Sequence, residues 1–344
     1  MSVDTVEPAV AKAHVFSGTT SWLHLIRNAG PFSWAVGIAL IGVVIGLISS
    51  GTQYFDWSYA LVDAIFALGC GIAISWGGVP AFGQGLYFAA GGYAAAMLVP
   101  FDLPSGVTLL AGAVVAGLLA FLFSIVTLRT GFAAFALLSL VAAEACNRII
   151  YTVPALGGEN GLYGVARPSF FGWSMGGNAE FYFYCLFMLV LLVLFGRLLY
   201  QSTTGRSIRA ARDDALRAQA LGTSVARTRV TAFTSAGVVC GIAGVLYAQL
   251  QGVVDPSMGG FLQSTVGVMM VVLGGLGTFL GAVLGGVIYR WLELFAQGYT
   301  DAPDIWLGGV FIVVVLLTPV VPRAISRFRR NSATRAALKK EELL

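Results

Sequence analysis

The sequence predicts an all-α polytopic membrane protein of about ten transmembrane helices, some broken by glycine-rich turns, with both termini in the cytoplasm. Three observations predict it. Hydrophobic residues make up 58% of the 344 positions and charged residues only 10%, less than half of the roughly 25% usual in soluble domains. Apolar runs suited to a hydrocarbon core of about 30 Å, which takes about 20 helical residues to cross, recur along the whole chain. Basic residues gather in alternate loops. This composition excludes a soluble enzyme, a nucleic-acid-binding protein and a single-pass receptor. The 44 glycines suit close helix–helix approach in lipid.

Residues 1–32 are mixed and polar and are expected to be a cytoplasmic N-terminal segment. They lack the basic start, short apolar core and small-residue cleavage site of a removable signal peptide. A transmembrane domain is expected over 33–321, with apolar runs at about 33–50, 57–76, 81–99, 106–127, 131–150, 180–200, 229–249, 262–276, 279–297 and 305–321. Amphipathic rings stand near many of the ends: Trp34, Trp57, Trp76, Tyr151, Tyr182, Tyr200 and Trp306. Such rings favour the headgroup level. Residues 322–344 form a basic cytoplasmic tail.

With the N-terminus inside, 17 of the 20 Lys and Arg residues fall on the cytoplasmic side, six of them arginines between 206 and 229. The outer loops hold Asp56, Asp102, Glu159, Glu180, Asp255, Asp301 and Asp304. The reverse orientation would oppose the positive-inside bias.

Two loops stand out. The outer loop 151–179 carries Gly157, Gly158, Gly161, Gly164 and Pro168 and is too long for a simple connection. The inner loop 201–228 reads as helical: Thr203 or Thr204 caps it, 206–221 contains no glycine or proline, and Gly222 stops it. Ile208, Ala211, Ala215 and Ala218 recur at helical spacing as one small apolar face, with Arg206, Arg209, Arg212, Asp213, Arg217 and Leu221 around it. A small face of this kind suits a partner's groove; the plainer alternative is a solvated basic loop that only enforces topology.

A weak internal echo links Gly77-Gly78-Val79-Pro80-Ala81-Phe82-Gly83 with Gly274-Gly275-Leu276-Gly277-Thr278-Phe279-Leu280-Gly281. Both interrupt a pair of spans on the inner side, as in transporters built from repeats. Bulky side chains at Gly78 or Gly83 would obstruct the backbone there, and Gly77, Gly78, Gly83, Gln84, Gly274 and Gly275 are candidates for the pathway or its gate.

Chemistry within the chain is sparse. There is no phosphate-cradling G-x-x-x-x-G-K-[ST], and the lysines are Lys12, Lys339 and Lys340, so ATP is not bound here. His14 and His24 precede the first span, which excludes an intramembrane histidine metal site. Cys70, Cys146, Cys185 and Cys240 lie in apolar stretches without CxxC spacing and read as small packing residues. No serine has a histidine base. No catalytic residue and no cofactor is expected in the chain.

Ionisable groups within spans cost about 2.5–3.5 kcal/mol each on insertion scales and need an account. Glu144 and Arg148 can pair along one helix face, with Asn147 adjacent, and Arg290 and Glu293 can pair three residues apart. Asp63 has no partner within its own span. Counting 13 residues from Gly131 places Glu144 about 20 Å across the core. A neutralised pair that packs the bundle or sits near the headgroups is the expectation for both; contact with solute or a coupling proton is the alternative.

At this point the residues resemble a known family. Gly205-Arg206-Ser207-Ile208-Arg209-Ala210-Ala211-Arg212-Asp213-Asp214, then Ala218-Gln219-Ala220-Leu221-Gly222, resembles the cytoplasmic coupling loop of LivM-type permeases of branched-chain amino acid ABC importers. The similarity continues through 241–248 and 270–277. Trp76-Gly77-Gly78 through Phe82-Gly83-Gln84-Gly85 resembles the family's glycine-rich break, and Gly157-Gly158-Glu159-Asn160-Gly161-Leu162 its outer-loop motif. The resemblance runs from about residue 57 to 320. The sequence departs from the family pattern at Ala81, where a serine is usual, and at Gln84, where a histidine is frequent; both bear on substrate preference.

The resemblance implies one permease of an importer in the bacterial inner membrane, carrying branched-chain or other small amino acids. Its implied partners are a second LivH-type permease, two cytoplasmic ABC ATPases that hold ATP and Mg, and a periplasmic solute-binding protein. The loop helix would meet an ATPase and the outer loop the binding protein. Urea or short amides are an alternative substrate class. An ion-coupled secondary transporter using Asp63 or Glu144, and a non-transporting scaffold, are the alternatives of a different kind.

Overall fold

A computed structural model describes residues 31–317, apart from 79, 80, 102, 127–131, 171, 172, 279 and 300–302. The basic tail, and the N-terminal segment up to residue 30, lie outside the described residues. Each expected apolar run carries a helix: α1 (Pro31–Ile48), α2 (Gln53–Gly71), α3 (Gln84–Met97), α4 (Ser105–Val126), α5 (Phe132–Thr152), α6 (Asn178–Gln201), α9 (Val225–Gln251), α10 (Phe261–Gly274), α11 (Gly281–Tyr299) and α12 (Pro303–Leu317). Between α6 and α9 lie the short helices α7 (Thr203–Asp213) and α8 (Ala215–Ala220).

Among the described residues, five helices are both long and apolar enough to cross a membrane: α2 with its extension to Trp76, α4, α5 from Ala134, α6 and α9. By contrast α3 and α10 have 14 residues each, about 21 Å at 1.5 Å per residue. The cause is local. The glycine-rich segments cut the chain between α2 and α3 and between α10 and α11, so each short helix is one arm of a broken pair. Before the first break, α2 unwinds into a π turn at Ile72–Trp76, a feature frequent at functional sites.

The core is built around α9 and α2. Helix α9 packs against α2, α3 and α4, while α2 also contacts α6 and α11. Small residues set the spacing: a Cβ on Gly244 of α9 would overlap the carbonyl oxygen of Phe88 in α3. The four cysteines are free thiols; Cys70, Cys185 and Cys240 are buried and Cys146 partly so. Helix α1 is attached through α6, where the Tyr182 hydroxyl donates to the Gly42 carbonyl at 2.7 Å.

Helix α5 sits at the side of the bundle. Phe135, Ser139, Ala143 and Ile150 are buried on one face, against α3, α10 and the 3-10 turn Pro256–Gly259. Its other face is open. The outer loop is tied down by two short strand pairs. β1 (Leu162–Tyr163) runs antiparallel to β4 (Val253–Val254), and β2 (Ser169–Phe170) pairs with β3 (Trp173–Ser174).

Candidate functional site: an interhelical loop seated on two glycine-rich breaks

The loop between α6 and α9 is not one helix over 206–221. It divides at Asp214, which is extended and whose carboxylate accepts the backbone N–H groups of Leu216 (3.1 Å) and Arg217 (3.0 Å) as the cap of α8. Aspartate is a strong N-cap, and here that preference overrides continuation of α7. Ser202 caps α7 by accepting from Gly205 N–H at 3.0 Å, one residue before the threonines expected to do so.

The small face points inward. Ile208 and Ala218 are buried, and Ala211 and Ala215 half-buried, so this face seats the loop on its own bundle rather than offering it to a partner. The exposed apolar side chains are instead Leu216 (79%) and Leu221 (86%). Arg206, Arg217, Gln219, Ala220 and Gly222 are exposed around them.

Arg212 holds the loop to the first break. Its guanidinium Nη1 donates to the carbonyl oxygen of Ser75 in the π turn, and its stem lies where a Cβ on Gly78 would be. Gly78 has φ +72°, a left-handed conformation that other residues adopt at a cost. Together Arg212, Asp213, Gly77, Gly78 and Thr228 line a cleft of about 200 Å³. A second tether runs through Arg209, which donates to the Tyr200 carbonyl at 2.8 Å and lies 3.7 Å from that ring's centre. Tyr200 in turn meets Trp76 edge-on at 5.3 Å.

The two breaks touch each other at the same residue. The Ser75 hydroxyl oxygen accepts the Gly277 N–H at 2.6 Å. Gly274 sits where a Cβ would overlap the Gly281 carbonyl, and Gly275 has φ +91°. Arg212, Ser75 and Gly277 therefore form one chain of hydrogen bonds from the loop between α6 and α9 through both breaks. Ser75 had no signal of its own beyond preceding Trp76-Gly77-Gly78.

The far side of the first break is fixed by serines of other helices. Phe82 N–H donates to Ser139 Oγ of α5, and Gly85 N–H to Ser264 Oγ of α10, both at 3.0 Å. Gly77 and Gly83 make tight backbone approaches, to Ala73 and Ser139 respectively. Gln84 is fully buried; its Oε1 accepts the Cys240 thiol at 3.4 Å, while Nε2 has no hydrogen-bond partner among the described residues. Ala81 is buried as well.

The intramembrane charges separate into two kinds. Arg290 pairs with Glu293 at 2.9 Å, reaches Asp56 at 3.9 Å and stacks over Tyr59 at 4.2 Å. Asp63 is buried on α2, with Arg290 and Glu293 of α11 near enough to act on its charge. Glu144 and Arg148 do pair, at 3.5 Å, but their side chains are 45% and 79% exposed. Glu144 is half-buried and Arg148 exposed, so the pair stands on the open side of α5 and not in the interior of the bundle. Asn147 turns toward Gly260, with its Oδ1 buried.

In the loop between α5 and α6, the glycine motif shapes backbone. Gly157 and Gly161 have φ +82° and +75°, and a Cβ on Gly161 would overlap the Val254 carbonyl at the β1–β4 pairing. Gly158 also has positive φ. Glu159, Asn160 and Tyr163 are left exposed. Among the described residues no cluster of metal-binding side chains occurs.

Residues 57–319 match the family described as the permease component of branched-chain amino acid transport systems. The chain is 26% identical over 302 residues to the high-affinity branched-chain amino acid transport system permease protein LivM of Escherichia coli (strain K12), covering 79% of this chain and 70% of that protein. It is 29% identical over 196 residues to the LivH permease protein of Salmonella typhimurium, covering 53% and 62%. It is also 30% identical over 178 residues to the autoinducer 2 import system permease protein LsrC of Klebsiella pneumoniae, covering 49% of each. No solved structure matches the chain. With a multi-pass helical architecture and a family match over most of its length, the chain is a transport subunit and belongs to the family of branched-chain amino acid transport permeases.

Proposed function

We propose that this chain forms the translocation pathway for branched-chain or other small amino acids in an ABC importer of the bacterial inner membrane. In this reading ten segments cross the membrane within 33–321 and both termini are cytoplasmic, as the distribution of Lys and Arg favours. A second, LivH-type permease completes the membrane core. Two cytoplasmic ATPases, holding ATP and Mg, dock on 201–228 through Leu216 and Leu221. A periplasmic binding protein delivers solute to 151–179.

The observation that carries the mechanism is the Arg212–Ser75–Gly277 chain of hydrogen bonds. Closure of the ATPase dimer displaces α7 and α8, Arg212 passes the displacement to Ser75, and Ser75 passes it to Gly277. Both breaks then move together, and a cavity closed to one side opens to the other. The buried amide of Gln84 favours urea or short amides as the second reading.

ATP-dependent uptake of leucine, alanine and urea into proteoliposomes holding the full complex tests this. Amino-acid uptake that needs both ATP and the binding protein is expected. Cation-driven uptake by this chain alone would overturn the ABC mechanism, and uptake of urea alone would select the second reading.

A further inference from the structure

The open faces of the other long spans identify what lipid contact looks like in this chain. On α4 the exposed stripe is Leu110, Val114, Leu118, Leu122 and Val126, and on α6 it is Phe183, Phe187, Leu191, Phe195 and Leu198. Both stripes are apolar over these residues, and the exposed polar residues of α6, Asn178, Glu180 and Gln201, stand at its ends. The open stripe of α5 begins in the same way, with Leu137 and Val141, and then carries Glu144 and Arg148. Glu144 stands 12 positions after the start of α5 and 8 before its end, roughly 18 Å and 12 Å along the axis. That depth is too far from either headgroup layer for the shorter carboxylate to reach water by extension. Charged side chains at such depth face protein or a water-filled cavity, not acyl chains.

We propose that Glu144 and Arg148 line a water-filled passage whose opposite wall is a second permease subunit, and that they recognise the two ends of a zwitterionic solute. Glu144 takes the ammonium and Arg148 the carboxylate, each exchanging its neighbour for the solute's opposite charge. One turn of helix separates the two groups, so a single α-amino acid can span them. Two features of α5 fit a wall of a pathway. Its inward face holds the first break through Ser139 and Phe82 at 3.0 Å, and the break is tethered to the cytoplasmic loop. Movement of the loop therefore reaches the helix that carries the pair. This inference rests on the transport function proposed above.

The test uses the full reconstituted complex with Cys146 replaced by serine throughout. Glu144→Cys, Arg148→Cys and, as a lipid-facing control, Leu118→Cys are exposed to a charged methanethiosulfonate reagent. Positions 144 and 148 are expected to react about ten-fold faster than 118, and saturating amino acid with loaded binding protein is expected to slow them. Reaction at 144 and 148 no faster than at 118 would overturn the proposal. Labelling is read without transport, so it stands apart from the function itself: a wild-type complex that imports no amino acid refutes that reading instead. In a transporting complex, Arg148→Gln is expected to shift the preference for leucine over leucinamide by about ten-fold toward the amide. An unchanged ratio would remove Arg148 from solute recognition.

Discussion

Arg212, in the loop between α6 and α9, donates a hydrogen bond to the backbone carbonyl of Ser75, at the turn where the second helix unwinds. The contact joins that loop to the place where the helix breaks. A hydrogen bond from a charged donor contributes about 1.5–3 kcal/mol, which is roughly ten- to hundred-fold in an equilibrium. Arg212→Ala is therefore expected to uncouple the complex: assembly and ATP hydrolysis persist while solute uptake falls by about ten-fold or more. Measuring both rates on one preparation checks it, and a parallel loss of the two would mean that Arg212 serves only docking.

Gly78 offers a second handle on the same junction. Its φ of +72° and the Arg212 stem against its Cα give a side chain two penalties, one conformational, of about 1–2 kcal/mol, and one steric. Gly78→Val is expected to impair uptake more than expression, because the break is displaced while the surrounding helices remain packed. Gly83→Val presses on the Ser139 backbone (2.9 Å) and is expected to act likewise. Equal loss of expression and uptake in both would assign these glycines to packing.

The helices were legible in the sequence because hydrophobic runs of this length have few alternatives, and the Arg290–Glu293 and Glu144–Arg148 pairs were legible from helical spacing. What could not be read was which way a side chain faces. The small face of the loop was identified correctly as a set of residues, yet alanines pack as readily against one's own bundle as against a partner. Asp214 held a signal for the helix break, since aspartate competes for N-cap positions, but a run free of glycine and proline masked it. The Ser75–Gly277 and β1–β4 contacts join residues far apart in sequence, and no local pattern encodes such pairings.

The exposure of Leu216 and Leu221 revises where an ATPase would bind. Leu216→Glu and Leu221→Glu place charges on an open surface, where substitutions usually change stability by less than about 0.5 kcal/mol. They are expected to reduce recovery of the ATPases with the purified complex while leaving thermal stability unchanged. Ala218→Arg is expected to do the reverse in order: Ala218 is buried, so the substitution first unseats α8 and lowers the melting temperature. Co-purification and thermal unfolding on the three variants separate the two effects. Full ATPase recovery with both glutamates would move the docking surface elsewhere.

Arg290 gathers the charges between α11 and α2. Its side chain is only 12% exposed and pairs with Glu293 and Asp56, with the Tyr59 ring beneath it and Asp63 within reach. Removing one partner of a buried pair leaves the other uncompensated, at a cost of about 3–5 kcal/mol. Arg290→Met is thus expected to lower stability markedly, with three carboxyl groups left beside an apolar side chain. Glu293→Gln in the Arg290→Met background removes the nearest of those carboxylates and is expected to restore part of the loss. Thermal unfolding of the wild type, both single variants and the double variant gives the coupling energy. If the double variant is no more stable than Arg290→Met, the uncompensated Glu293 is not the source of the loss, which then belongs to the contacts of Arg290 with Asp56 and Tyr59 that join α11 to α2.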